Sequence, residues 1–394
     1  MVNRQNTRNM MGHLFEEVAE ILETGKKSNK MKIGLTTYGC EVGIKNWVRA
    51  AENATAQSDD FEVVLIGPKQ KTTLLQFDAI NEVQAHKKMD MMLDHGIIDA
   101  CITTNYTYPI GVASVGKMTT LSQGKQLFMA TTSGTSAINR GAAMTFNALY
   151  GIIVAKTMGV NNPKVGILNV EGARQVEKGL VELSRRGYPI DFANSLRSES
   201  GCIMRGNDII AGTPDVLVQD SLTGNIAMKM CASFMSGGNM ETIGAGYGPG
   251  IGEQYDKIAM VISKASGELV VENAIYFAAQ LVRGKLISVA KHEFAKAKEA
   301  GLLEIITRMS KVNKLEKGNK SITVPLEEPV NQGIGGIDIM ELEQAVQILW
   351  SSGIYAKSGM GCTGPILLVN EKNSEKATLV LEKSGFLIYK EGHC

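Results

Sequence analysis

Short runs of apolar residues alternate along most of the chain with stretches in which apolar positions recur three and four residues apart. The runs Lys32–Thr37, Glu62–Ile66, Ile97–Thr103, Gln126–Thr131, Val165–Val170, Asp215–Gln219 and Ile258–Ser263 predict strands. Helical patterns lie between most of them; in the stretch 172–187, for example, Val176, Leu180 and Leu183 share a face. Strands that are apolar throughout, rather than at every second position, belong to a sheet covered on both faces. The pattern therefore predicts an α/β fold with a largely parallel sheet between helices, and a ligand beyond the carboxyl ends of its strands.

The two ends of the chain differ from this middle. Leu14, Phe15, Val18, Ile21 and Leu22 recur at helical spacing before Gly25, predicting an N-terminal helix that packs on a neighbour or a subunit. Between Lys311 and Gly336 the sequence turns rich in Lys, Asn, Gly and Pro, as a linker does. Beyond it, Asp338 and Glu341 resemble a helix start, and Leu342, Ala345, Val346 and Leu349 form one helical face. A strand at Ile366–Val369, a helix at Ser374–Lys383 and a strand at Phe386–Tyr389 complete a small unit. The expected organisation is an N-terminal helix (1–30), an α/β domain (31–311) open to division into two subdomains, a linker (312–336) and a small α/β module (337–394). A flexible linker would let that module swing.

Composition narrows the chemistry. With 394 residues, 44% of them hydrophobic, the chain can bury a large core. Its 41 basic and 40 acidic residues leave a net charge of +1, which favours neither nucleic acid nor an anionic membrane as partner. No apolar run is long enough to span a bilayer and no signal-peptide pattern opens the chain, so a cytoplasmic location is expected. The six cysteines, Cys40, Cys101, Cys202, Cys231, Cys362 and Cys394, stand singly, which speaks against zinc and against a disulfide framework. The five histidines fall mostly in helical or terminal segments, where surface positions are expected, and no Ser-His-Asp set can be assembled.

Glycine, serine and threonine gather after the predicted strands. Thr131 to Ser136, with Thr132, Ser133, Gly134 and Thr135 between, lead into a helical pattern, and Arg140 follows a turn later. Hydroxyls and free N–H groups at a helix N-terminus suit an anion, though the same residues also read as an ordinary capped start. Asp220, Thr223, Gly224 and Asn225 repeat the arrangement after the strand Asp215–Gln219. Gly246, Gly248 and Gly250 lie in a glycine-dense loop that permits close backbone approach to a ligand but matches neither the dinucleotide nor the P-loop fingerprint. In Ser358-Gly-Met-Gly-Cys362-Thr-Gly-Pro365 the glycines clear space around a thiol and free backbone donors for an oxyanion. Cys101 ends a predicted strand and is expected at the same rim. A lone cysteine is otherwise an inert core residue.

The runs Ile97–Asn105, Pro163–Glu171 and Pro214–Lys229 resemble acyl-phosphate synthases of the phospholipid pathway and, more distantly, phosphate acetyltransferases, over about residues 31–300. Over the whole chain, the N-terminal helix, Gly-Tyr-Gly-Pro-Gly-Ile-Gly-Glu at 246–253 and Ser-Gly-Met-Gly-Cys-Thr-Gly-Pro at 358–365 look like the alpha subunits of glycine/sarcosine/betaine reductase component C. This resemblance implies a phosphate acyltransferase/isocitrate dehydrogenase-like layout. It also implies that a carboxymethyl group on the selenocysteine of selenoprotein A is converted to an acetyl thioester and released by inorganic phosphate as acetyl phosphate. Cys362 then falls on the thioester-forming cysteine and Cys101 on a second, redox-active one. The implied partners are the component C beta subunit, selenoprotein A and phosphate, in an oligomer; no metal and no further cofactor is implied.

One departure stands out. Where the simpler synthases have Gly-Asn-Thr-Gly after the cysteine-bearing strand, this chain reads Thr104-Asn-Tyr-Thr-Tyr-Pro109, which suggests a different acyl pocket. The rival readings are a stand-alone acyl-phosphate synthase using acyl-carrier protein or coenzyme A, a silent scaffold for a beta subunit, and an oxidoreductase of the isocitrate dehydrogenase layout. The last of these lacks a dinucleotide fingerprint and an acidic metal cluster.

Overall fold

The computed structural model describes residues 30–120, 123–197, 201–312, 324–337, 341–361 and 364–386. The expected N-terminal helix, most of the expected closing strand, Asp338 and Cys362 lie outside these residues.

Among the described residues, twelve strands make the main sheet: β1 (Met31–Thr36), β2 (Phe61–Gly67), β3 (Leu75–Asp78), β4 (Ala100–Thr103), β5 (Val112–Thr119), β6 (Gln126–Thr135), β7 (Lys164–Leu168), β8 (Asp191–Phe192), β9 (Ile203–Met204), β10 (Val216–Val218), β11 (Gly248–Ile251) and β12 (Ala259–Val261). Their order is β3-β2-β1-β4-β12-β11-β5-β6-β10-β7-β8, with β9 also on β7. Two parallel blocks result, β3-β2-β1-β4-β12 and β6-β10-β7-β8. The antiparallel strands β11 and β5 join them. The fold is thus α/β, with a mostly parallel sheet.

Each of the seven expected strands is present. Strand β11 was not foreseen, because Gly-Pro-Gly-Ile lacks the β-branched and aromatic residues that mark strands. Strand β5 also went unread, since Ala113, Ser114 and Gly116 interrupt its apolar run.

The helix Arg140–Thr157 is buried almost all round and lies directly on the sheet. Gly151 permits this: a Cβ there would sit 2.3 Å from Val216 Cγ1 and 2.9 Å from Ala130 Cβ. The expected helix around 172–187 forms as Ala173–Arg185, with Val176, Leu180 and Leu183 buried as one face.

Near the C-terminus, β13 (Gln332–Ile334), β14 (Ala356–Gly361) and β15 (Gly364–Val369) form an antiparallel sheet in the order β13-β15-β14. The helices Leu342–Ser351 and Ser374–Lys383 complete a separate core around Leu349, Leu367, Val369 and Leu381. This sheet recruits Gln332–Ile334 from the stretch read as linker. Lys178 ties the unit to the main body, pairing with Glu341 at 3.1 Å and lying 5.0 Å from the Phe386 ring centre.

Candidate active site

A cleft of about 490 Å³ collects residues from segments that follow β1 (Glu41), β4 (Asn105), β10 (Asn225, Lys229) and β12 (Ser263, Lys264), together with Ser133 of β6. This is the place where open α/β sheets hold ligands.

Its floor is built by an irregularity. Ser114 pairs with Ser133 but Val115 pairs with Ala130, so Thr131 and Thr132 bulge out of the ladder. Thr132 is fully buried and spends its hydroxyl on Ser114 and on the Tyr247 carbonyl, the latter at 2.7 Å. The helix Ser221–Ser233 seats on the bulge: Asn225 Nδ2 donates to Thr132 O at 3.0 Å. A Cβ at Gly224 would meet Thr131 O at 1.8 Å, so only glycine lets the helix come this close. Ser133, Asn225 and Lys229 are thereby held together at the cleft.

Opposite, the Glu41 N–H donates to Lys264 O at 2.8 Å, fixing the two loops to each other. Asn105 takes a left-handed backbone (φ 50), uncommon for a residue other than glycine and found most often at turns and functional sites. Glu241 is buried in the wall, where Tyr247 Oη donates to it at 2.6 Å and Ser266 Oγ at 3.1 Å. Burial, then the nearby Glu241 carboxylate, pushes the Tyr247 hydroxyl far up, so it stays a hydrogen-bond donor. Among the described residues neither Lys229 nor Lys264 forms an ion pair. The cleft thus offers two ammonium groups outside any ion pair, beside hydroxyl and amide groups and the two carboxylates Glu41 and Glu241, and the lysines with the neutral donors suit a phosphate.

Of the residues singled out from sequence, Ser133 and Asn225 line this cleft. Others lie elsewhere, for physical reasons. The segment 131–136 is not a helix N-terminus: β6 runs to Thr135, and the next helix starts at Arg140 with Asn139 as its cap, accepting from Ala142 N at 2.9 Å. Gly134 (φ 86) packs on the Val112 carbonyl, Thr135 is exposed, and Ser136 is buried against Asn147. Arg140 is engaged by two carboxylates, Asp220 at 2.8 Å and Glu171 at 3.0 Å.

Asp220 itself fills the anion position of its helix, accepting from Thr223 N at 3.0 Å and Thr223 Oγ1 at 2.7 Å. Burial opposes its charge, but the Thr223 bonds and the Arg140 cation outweigh that and hold the carboxyl below its ordinary value. Gly246 (φ 73), Gly248 (φ 82) and Gly250 serve packing within the sheet. Added Cβ atoms would meet Ile262, the Val115 carbonyl and the Tyr108 ring at 2.5, 1.8 and 2.4 Å. None of the three lines the cleft.

Cys101 is the clearest correction of placement. It was expected at the rim, yet it lies fully buried in an apolar cluster with Val64, Ile66, Ile98 and Ala259. Burial, then the Asp90 charge, pushes its thiol far above the usual range. Cys362 lies outside the described residues; the neighbouring Gly361 and Gly364 are paired across β14 and β15. Among the histidines, His86 departs from the expected surface position: its Nε2 lies 3.0 Å from both Thr103 Oγ1 and Thr104 O.

Sequence reasoning passed over Lys229, Glu241, Tyr247, Ser263 and Lys264. Two of these carried a signal, since Lys229 lies one turn past Asn225 and Lys264 follows a predicted strand. Tyr247 reaches the cleft beside β11, which the sequence does not announce, and Glu241 through its backbone pairing with the segment 265–267. Among the described residues no group of His, Cys, Asp or Glu could hold a metal ion, and no helix is long and apolar enough to cross a membrane.

Residues 31–368 match the family described as Fatty acid synthesis protein. The alpha subunit of glycine/sarcosine/betaine reductase complex component C from Peptoclostridium acidaminophilum is 49% identical over 380 residues, covering 96% of this chain and 99% of that one. Phosphate acyltransferases are more distant: that of Bacillus anthracis is 26% identical over 239 residues, 50% of this chain and 70% of its own. That of Thermotoga maritima is 27% identical over 228 residues, covering 50% and 68%. The chain therefore belongs to the Fatty acid synthesis protein family, and within it groups with the alpha subunits of glycine/sarcosine/betaine reductase component C.

Proposed function

We propose that the cleft is where inorganic phosphate attacks an acetyl thioester, and that the chain acts in the cytoplasm as the phosphate-acylating alpha subunit of a glycine/sarcosine/betaine reductase component C. The observation that carries this reading is the pair Lys229 and Lys264, which form no ion pair among the described residues and line one cleft with Ser133, Asn225 and Ser263.

The two ammonium groups hold the phosphate dianion and offset its repulsion from Glu41 and Glu241. A phosphate oxygen attacks the thioester carbonyl, forming the C–O bond, while hydroxyl and amide donors stabilise the oxyanion. The intermediate collapses by breaking the C–S bond; acetyl phosphate forms and the thiolate leaves, taking up a proton from solvent. A thiolate is a good leaving group, so the step requires no histidine base. The resemblance assigns the thioester to Cys362, with the beta subunit and selenoprotein A supplying the acyl group upstream. Cys101, sealed in the core, has no part in this scheme.

The test runs the reaction backwards. The isolated chain is incubated with acetyl phosphate, any thioester is mapped by mass spectrometry, and the experiment is repeated with Cys362→Ala. An acetyl adduct on Cys362 that the substitution abolishes is the expected result. An acetyl group on no cysteine of this chain would move the acyl site to a partner subunit.

A further inference from the structure

We propose that Tyr106, Tyr108 and Tyr255, packed behind the lining residues Tyr247 and Val261, set the length of the acyl group by closing the apolar side of the cleft to groups longer than two carbons. The proposal rests on the reading of the cleft as a phosphate acylation site.

The chain reaches this wall directly from the cleft. Asn105 lines the cleft, and its left-handed backbone turns the chain into the segment that carries Tyr106 and Tyr108. The Tyr106 and Tyr108 rings meet edge to face at 5.3 Å, and Tyr108 meets Tyr255 in the same way at 6.0 Å. This is the favoured geometry for aromatic pairs, and each ring fills a large volume. Tyr108 is buried, donates to Ala259 O at 2.9 Å, and lies flat against Gly250, where even a methyl group would collide with the ring. Tyr106 is anchored by donating to Asp90 at 2.9 Å.

The same cluster backs the cleft. Tyr247 and Val261, which line the cleft, share one buried apolar cluster with Tyr108, and Tyr106 and Tyr255 pack against it. Behind Tyr247 and Val261 the cluster is thus packed with three aromatic side chains, two of them, Tyr106 and Tyr108, tethered by their hydroxyls. A longer acyl chain would have to displace packed rings, and overpacking of that kind is unfavourable.

The experiment is a calorimetric titration of the full chain with acetylphosphonate, butyrylphosphonate and hexanoylphosphonate, analogues whose P–C bond does not hydrolyse, alongside inorganic phosphate. The wild-type chain is expected to bind acetylphosphonate at least about tenfold more tightly than hexanoylphosphonate. Tyr108→Ala should shrink or invert that ratio. Tyr108→Phe, which keeps the ring and loses only the bond to Ala259, should retain it. Equal wild-type affinity for the three analogues overturns the proposal, as does a folded Tyr108→Ala with the wild-type ranking. If Tyr108→Ala does not fold, Tyr106→Ala opens the same packing at a partly buried ring, and an unchanged ratio there overturns the proposal. Failure of phosphate and every analogue to bind would instead remove the cleft reading, and the length rule with it.

Discussion

After β6 the strand runs on through Thr135 and the next helix waits until Arg140; after β10 the helix begins almost at once, at Ser221. Both junctions look alike in sequence, each a strand followed by hydroxyl, glycine and amide residues. At the first, a register slip against β5 pulls Thr131 and Thr132 into a bulge and leaves Ser133 facing the cleft. At the second, Asp220 caps its own helix, and the groups left for a ligand are side chains one and two turns further on, Asn225 and Lys229. A helix N-terminus is an anion site only while no carboxylate of its own occupies it. On the proposed reading of the cleft, the groups left to bind an anion are lysine side chains and not backbone N–H groups.

The contact between the junctions is where the largest effect is expected. Gly224→Ala would drive a methyl group into the Thr131 carbonyl and lift the helix off the bulge. The expected loss is about 3 kcal/mol of stability by chemical denaturation, together with loss of phosphate binding in whatever fraction remains folded. An alanine variant with wild-type stability and binding would show that the two junctions are not mechanically joined.

The parts legible in advance were those governed by local pattern. The apolar runs located every expected strand, and Val176, Leu180 and Leu183 face the core as their spacing requires. What could not be read was set by pairing between distant segments. The slip at Ser114/Val115 depends on β5, whose own pattern is weak, and it decides which of six neighbouring residues reaches the cleft. The glycines of 246–250 read as ligand-binding because glycine reports close approach without saying to what; here the neighbours are a strand, a side chain and an aromatic ring. Cys101 lies two residues short of the strand end at Thr103, which the run Ile97–Thr103 already marked, and that places its thiol inside the sheet layer and not at the rim.

Charge sharpens the comparison next. Lys229→Ala removes from the cleft a cation that no ion pair holds among the described residues, and should weaken phosphate binding by about tenfold or more, the range of one charged hydrogen bond. Arg140→Ala, at the other junction, should leave phosphate affinity unchanged, because its charge is already engaged by Asp220 and Glu171. Phosphate titration of both variants checks the pair, and the reverse order of effects would return the anion site to the first junction.

The smallest effect concerns the cap. The Asp220 carboxyl is held below its ordinary value in the fold, so its ionised form favours the folded state. That stabilisation is complete above the unfolded carboxylate range, at about pH 4, and is lost as pH falls through the lowered folded value. Asp220→Ala should therefore cost about 1 kcal/mol at pH 7, the usual size of a lost N-cap. The gap between wild type and variant should narrow as the pH is taken below the carboxylate range. A gap of the same size at every pH would mean that the cap acts through hydrogen-bond geometry alone, and that the charge at this junction is not what keeps a second anion away from the helix.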